Sequence, residues 1–444
     1  MLQHITFLPT KHTQLIALQT RSSCRVVIIT ALRVKSDRNN GINMKKTAIE
    51  IALLFVIVGI LVLAGCMDDG NIDIGGDVYS TKVEREGVAV YGKYIYLDKM
   101  SMCRYDMKKN IMSPACTDPE CSGDCPLDCV MTYIIGVYDG RLYFSAFQAY
   151  THYLFYAYQE LATGKVIVVD TLDFAESDGG AQGNYYNGYL YYPKMILRDG
   201  GDASKPEDYD KCIVETEVNG GGSRTVYTCG AGEGLMSVCG GYMIFTGGNG
   251  MFSIDLKTNE KKTLCDLLPS SVIVYLDGKI YFMSYSGDCA TSEYSGMQYG
   301  AYRLKCIDLA TGVVREPVSV PIVSFSLTDD AIYYAPFELR HTYIPDDYKE
   351  HPEDVRVMTA SPTLHRCALD GSGDEAVYTN ENWMYSDTFI VVNNKLYGWM
   401  SDLNHGQQKN EIKLSWGYID MKTGGDPILT QMDERLLERI NKMR

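Results

Sequence analysis

An all-β fold, a seven-bladed β-propeller of four-stranded antiparallel blades, is predicted by three features of this sequence. One turn-plus-strand unit recurs seven times, its steps of 37 to 64 residues average about 50, and Tyr (34) and Gly (41) far outnumber Trp (3). A period of roughly 40–50 residues is that of propeller blades, and tyrosine with glycine suits short strands joined by tight turns.

The unit opens with a small or polar pair followed by an alternating, Tyr-rich strand. It appears at Gly92-Lys93, Asp139-Gly140, Asn187-Gly188, Gly240-Gly241, Asp277-Gly278, Asp329-Asp330 and Asn393-Asn394. Asp-Gly and Asn-Gly supply the positive φ of type I′ hairpins, so each copy is expected to start with a hairpin. A second turn follows, of the kind Asp308-Leu309-Ala310-Thr311-Gly312 and Asp420-Met421-Lys422-Thr423-Gly424. Four short strands fit each step. One such sheet cannot bury both faces, whereas sheets stacked radially bury them against their neighbours. A β-sandwich uses similar strands but does not explain seven copies of one unit. The tyrosines are expected to pack between blades, their hydroxyls reaching water or backbone.

Ahead of the repeats, Met44-Lys45-Lys46 precedes an apolar run from Ile51 to Leu63 that ends in Leu63-Ala64-Gly65-Cys66. A positive start, an apolar stretch and small residues make a signal peptide. The last four residues resemble the bacterial lipobox, in which the cysteine thiol is alkylated with diacylglycerol and the chain is cut before it. The resemblance makes residues 44–65 a lipoprotein signal peptide and Cys66 the lipidated mature N-terminus, on the extracytoplasmic side of the cell membrane. An uncleaved anchor is the other reading, although the run falls short of the ~20 residues a span needs. Residues 1–43 are basic and precede a leader that already begins with Met-Lys-Lys, so translation is expected to start at Met44. Residues 66–80, rich in Asp and Gly, read as a tether, 81–430 as the propeller, and 431–444 as a short C-terminal helix.

Without residues 1–65 the chain keeps 33 Lys and Arg against 54 Asp and Glu, a net charge of −21. That charge excludes nucleic acid as a natural partner and favours a domain held off anionic lipid. Taken together, residues 44 to about 430 resemble the Gram-positive cell-surface lipoproteins whose exported part is a propeller of unassigned role. The resemblance implies a tethered surface protein and no particular activity.

Cys116, Cys121, Cys125 and Cys129 crowd fourteen residues between the first two copies. Two local disulfides suit an oxidising compartment, and four thiolates could hold zinc, yet the paired two-residue spacing of zinc ligands is absent. The lipoproteins just named often carry a similar Cys-Asp-Pro-x-Cys loop followed by His, where this chain has Gly123. In the sixth copy, His341 and His351 stand among Asp346, Asp347, Glu350 and Asp354; a divalent ion is one reading, a solvated acidic loop the other. Asp370-Gly371-Ser372-Gly373-Asp374 begins like a calcium loop, but Glu375 occupies the glycine position, which favours a turn. No nucleophile elbow, zincin motif or phosphate-cradling loop is present, and no cofactor is expected.

The sequence therefore points to a non-catalytic, tethered propeller that binds a surface glycan, peptide or protein. The alternatives are an exported propeller enzyme, a hydrolase or lyase acting on glycans, and a structural role in an envelope complex.

Overall fold

The computed structural model describes residues 5–10, 13–18, 27–31, 81–83, 86–98, 102–116, 131–148, 152–177, 182–248, 250–270, 273–403 and 415–443. The chain divides into two compact units, Met1–Asp69 and Gly70–Arg444. In the first, β1 (Ile5–Thr10), β2 (Thr13–Leu18) and β3 (Val27–Ala31) form an antiparallel meander. The leader, Cys66 and the tether lie outside the described residues.

The second unit is a succession of antiparallel meanders. The first repeat comprises β5 (Glu86–Tyr91), β6 (Tyr94–Leu97), β7 (Cys103–Asp106) and β8 (Ile111–Pro114), with β4 (Thr81–Val83) added beside β5. The second is β9–β12 (Met131–Tyr138, Arg141–Gln148, Tyr153–Glu160, Val166–Asp173). The third is β13–β16 (Asn184–Tyr186, Tyr189–Leu197, Tyr209–Glu217, Ser223–Thr228), and the fourth β17–β20 (Gly234–Cys239, Tyr242–Gly247, Gly250–Asp255, Lys261–Cys265). The fifth is β21–β24 (Val274–Leu276, Lys279–Thr291, Gln298–Asp308, Val314–Arg315). The sixth holds β25–β29 (Ile322–Leu327, Ala331–Tyr343, Arg356–Ala360, Thr363–Ala368, Glu375–Thr379), with β27 and β28 successive partners of the long β26. The last is β30–β33 (Trp383–Val392, Lys395–Asp402, Ser415–Asp420, Ile428–Leu429).

The fifth and sixth repeats share one hydrogen-bonded sheet through the pair Tyr302–Ile322. The outer strand β24 spans only two residues, which leaves the edge of β23 open for β25 at that point.

Each hydrophobic cluster bridges two neighbouring repeats. Tyr96 and Met102 of the first pack with Leu142 and Phe144 of the second, and Tyr143 and Tyr156 of the second pack with Leu190 and Tyr192 of the third. The same holds for Ile213 with Phe245, Ile244 with Phe282, Tyr281 with Ile332, and Tyr333 with Phe389. Finally Ile390, Tyr397 and Trp416 of the last repeat pack with Ile95, Leu97 and Tyr105 of the first, which closes a ring. Each sheet thereby buries both faces, as radial stacking requires.

Two further elements cover that closure. β34 (Gln431–Met432) adds parallel to β8, and α1 (Glu434–Met443) follows. The C-terminal segment is thus helical only from Glu434, a correction to the expected helix over 431–444. Gln431 and Met432 are drawn into the ladder by the free edge of β8, and Asp433 caps the helix by accepting from the Leu436 N–H at 2.8 Å.

The hairpin turns explain the repeated motif. Both turn residues have positive φ at 139–140, 187–188, 240–241, 277–278 and 393–394, as type I′ turns demand. The first and sixth copies depart from this expectation. Only Gly92 is positive in the first, and Asp329-Asp330 are not positive, the chain instead closing with Thr328 N–H to Ala331 O at 2.9 Å.

The second turn is stitched to the first. In six repeats the residue after the strand-ending acid donates to the second hairpin residue, as in Leu256 to Gly241 (2.9 Å), Leu309 to Gly278 (3.0 Å) and Met421 to Asn394 (3.0 Å). The aspartate itself gathers the turn: Asp308 Oδ1 accepts from the Thr311 N–H at 2.8 Å and its hydroxyl at 2.9 Å, and Asp255 from the Lys257 and Thr258 N–H groups at 2.8 Å each. These bonds hold the Asp255 and Asp308 carboxyls below the usual carboxylate range.

A carboxyl depressed in the folded state adds stability above its unfolded pKa of about 3.9 and loses it as pH falls through the folded value. Asp308→Asn keeps an acceptor but cannot ionise. It should therefore lower the urea midpoint at pH 7 and converge with the wild type in strong acid; an unchanged gap between pH 7 and pH 2.5 would contradict this origin.

Candidate functional site

Successive turns of a meander emerge at opposite rims. One rim carries the hairpin turn and the second turn of each repeat, stitched together in six of them, and the other carries the middle connection and the link to the next repeat.

On the stitched rim, a cavity of about 580 Å³ opens between the sixth and last repeats. Val377, Val391 and Val392 supply apolar lining, and the Val391 N–H donating to Ser326 Oγ at 3.1 Å zips the two sheets below. Polar groups come from the hairpin turns: Asp329 and Asp330 on one side, Asn393 and Asn394 on the other. Arg366 pairs with Asp330 at 3.0 Å and Glu375 at 3.5 Å and lies 5.9 Å from the Tyr333 ring. Burial works against its charge, but Tyr333 and Asp330 outweigh it and hold the guanidinium above its ordinary range. Thr328 donates to Asp330 at 2.9 Å, and Lys422 completes the lining. The volume suits a small polar ligand, since such pockets run about 300–1,000 Å³. Asp330 and Glu375 share Arg366, and a cleft so lined can orient hydroxyl, amide or ammonium groups.

The sequence candidates fall elsewhere. Cys116 is buried against the cluster joining the first two repeats, and Cys121, Cys125 and Cys129 lie outside the described residues. His341 and His351 have different surroundings. His341 Nε2 meets Ser292 Oγ at 2.9 Å and its ring stands 4.7 Å from Tyr294, whereas His351 Nδ1 faces Glu353 at 3.3 Å. Among the described residues no group of three or more His, Cys, Asp or Glu is placed to hold a metal ion. The Asp370 segment is a turn, its Oδ1 accepting from the Ser372 N–H and hydroxyl at 2.9 and 2.7 Å.

Several tyrosines are core residues: Tyr105, Tyr143, Tyr156, Tyr192 and Tyr281 are fully buried. Some hydroxyls reach backbone as expected, Tyr378 donating to Gly425 O at 2.9 Å and Tyr156 to Gln182 O at 3.3 Å, and others reach side chains. Tyr192 bonds Asp170 and, at 2.6 Å, Thr216; Tyr191 donates to Glu215 at 2.6 Å; Tyr334 donates to Asp374 at 2.7 Å. Burial pushes the Cys306 thiol up and that of Cys367 to about 11, so both stay protonated and act as apolar filler. Cys289 is exposed. A thiol reagent at pH 8 should modify Cys289 in the native protein and reach Cys306 and Cys367 only on unfolding; rapid native labelling of Cys367 would contradict its burial.

No family model matches the chain, and no curated protein matches it in sequence. Among solved structures, one of two prolyl endopeptidases studied for inter-domain dynamics aligns with a TM-score of 0.51 at 11% identity, covering 79% of this chain and 50% of that one. The chain thus spans about half the length of that enzyme. The β-propeller domain of the trilobed protease from Pyrococcus furiosus aligns at 0.44 and 8% identity over 79% and 97% of the two chains. TolB from Acinetobacter baumannii aligns at 0.33 and 14% over 83% and 77%. The ring of stacked meanders decides the architecture. The fold is a β-propeller. At these identities the likeness concerns fold alone.

Proposed function

We propose that this propeller is seven-bladed, is anchored to the cell membrane through lipid on Cys66, and serves outside the cytoplasm as a non-catalytic binding protein. Seven meanders and the seam joining last to first support the blade number. The ligand is a short, neutral, polar one, a glycan or peptide of the envelope, held in the cleft between the sixth and last blades. One observation carries this reading. The two hairpin turns that lack glycine, Asp329-Asp330 and Asn393-Asn394, face each other across the cavity and present four planar polar side chains, two of them, Asp330 and Asn394, at the position where four of the other turns have glycine. Such groups match paired hydroxyls and amides. The net charge of −21 repels nucleic acid and suits a domain standing off the lipid.

Restoring glycine tests the site. Full chain carrying Asp330→Gly and Asn394→Gly should fold normally, since glycine accepts either backbone conformation, and should capture envelope glycans or peptides at least tenfold less well, the effect of about 1.4 kcal/mol. Unchanged capture would place the ligand elsewhere, and product released from glycan would overturn the non-catalytic reading. Cys66→Ala should move the protein from the membrane to the soluble fraction; persistence in the membrane would contradict the lipid anchor.

A further inference from the structure

The opposite rim is uneven, because two ribbons rise from it. From Tyr285 to Thr291, β22 pairs only with β23, and from Phe337 to Tyr343, β26 pairs only with β27. The two ribbons are fastened together by the Ser292–His341 contact at 2.9 Å and by Tyr294, whose ring meets His341 at 4.7 Å and Tyr348 at 5.4 Å, edge to face. Isolated two-stranded ribbons are marginal in water. This pair gains rigidity from the shared contact and so forms one preformed surface.

That surface has two properties a freely solvated loop lacks together. Tyr285 is 58%, Met297 55% and Ile344 38% exposed, large apolar side chains placed outward on adjoining ribbons. Segments 286–297 and 338–354 also carry eight carboxylates against Arg340 and Lys349; of the eight, Asp288 is paired with Arg303 at 3.2 Å and Glu353 faces His351 at 3.3 Å. Arg340 is engaged by Glu381 at 2.9 Å, while Glu338, Asp346, Asp347 and Glu350 make no side-chain ion pair among the described residues. Apolar groups set in unneutralised negative charge are complementary to a segment bearing lysine or arginine among apolar residues: burial supplies affinity, and opposite charge supplies encounter rate and selectivity. Aromatic faces such as Tyr285 add attraction for cations.

We propose that the paired ribbons of the fifth and sixth blades dock a cationic, amphipathic segment of a partner protein. The site is independent of the cleft at the opposite rim, and the same negative charge disfavours an anionic lipid surface or a second copy of this chain as occupant.

The purified full chain should be titrated with a fluorescent twelve-residue peptide alternating Lys and Leu, and with its Glu and Leu counterpart. The lysine peptide should bind, losing at least about tenfold in affinity between 50 and 300 mM NaCl as screening grows, and the glutamate peptide should not. Tyr285→Ser with Met297→Ser, and separately Asp346→Asn with Asp347→Asn, should each weaken binding at least about fivefold while the thermal midpoint stays unchanged, because all four side chains lie on the projecting ribbons and away from the ring core. Equal binding of both peptides, no binding of the lysine peptide, or affinity unaltered in both folded variants would overturn the proposal, as would self-association that the same substitutions abolish.

Discussion

Trp416→Ala is expected to destabilise the protein by about 3–5 kcal/mol, the range for removing a large aromatic from a packed core. Trp416 is 2% exposed and sits on the third strand of the last blade. Its ring meets Tyr105 of the first blade at 6.3 Å and 67°, while Tyr105 also meets Tyr397 at 5.7 Å and 61°. This aromatic group bridges the seam where the ring closes. At other seams the chain itself passes from one blade to the next; here only the C-terminal segment crosses, so side-chain packing carries more of the closure. Urea unfolding should show a lower midpoint, and a loss below about 1 kcal/mol would mean that the seam is not packed as described.

The second large effect belongs to Leu436. It is 1% exposed within the same closing cluster, whereas Leu437, one residue on, is 45% exposed. Leu436→Ala should cost about 2–5 kcal/mol, since burial and cavity terms add, and Leu437→Ala less than about 0.5 kcal/mol, as is usual at the surface. Similar effects at both positions would show that α1 does not dock by one face.

Much of this architecture was legible in the sequence because hairpin turns need particular residues. Glycine at Gly140, Gly188, Gly241 and Gly278 answers a positive φ, and the aspartates of the second turn answer orphaned N–H groups. The unit therefore repeats in letters as well as in space. The cleft left a fainter trace. Asp329-Asp330 and Asn393-Asn394 are the copies in which both turn residues carry a carboxylate or amide side chain, yet that these two copies are neighbours around one cavity needed the ring itself. The projecting ribbons were hidden because a bulge between Tyr285 and Cys289 interrupts the alternation, and the acidic run after Ile344 reads as solvated loop. Of the two histidines, His341 lies on β26 and serves the contact between ribbons, whereas His351 lies in the loop between β26 and β27 beside Glu353.

Closure of the ring is the claim on which the rest depends, and cross-linking its seam tests it most directly. Ile111 and Gln431 are direct partners between β8 and β34. Paired residues on adjacent strands lie within the Cα separation a disulfide can span. In Ile111→Cys with Gln431→Cys, mild oxidation followed by peptide mass mapping should reveal a link within one chain and a raised urea midpoint that reductant reverses. No link, or a link only between two chains, would contradict a closed propeller.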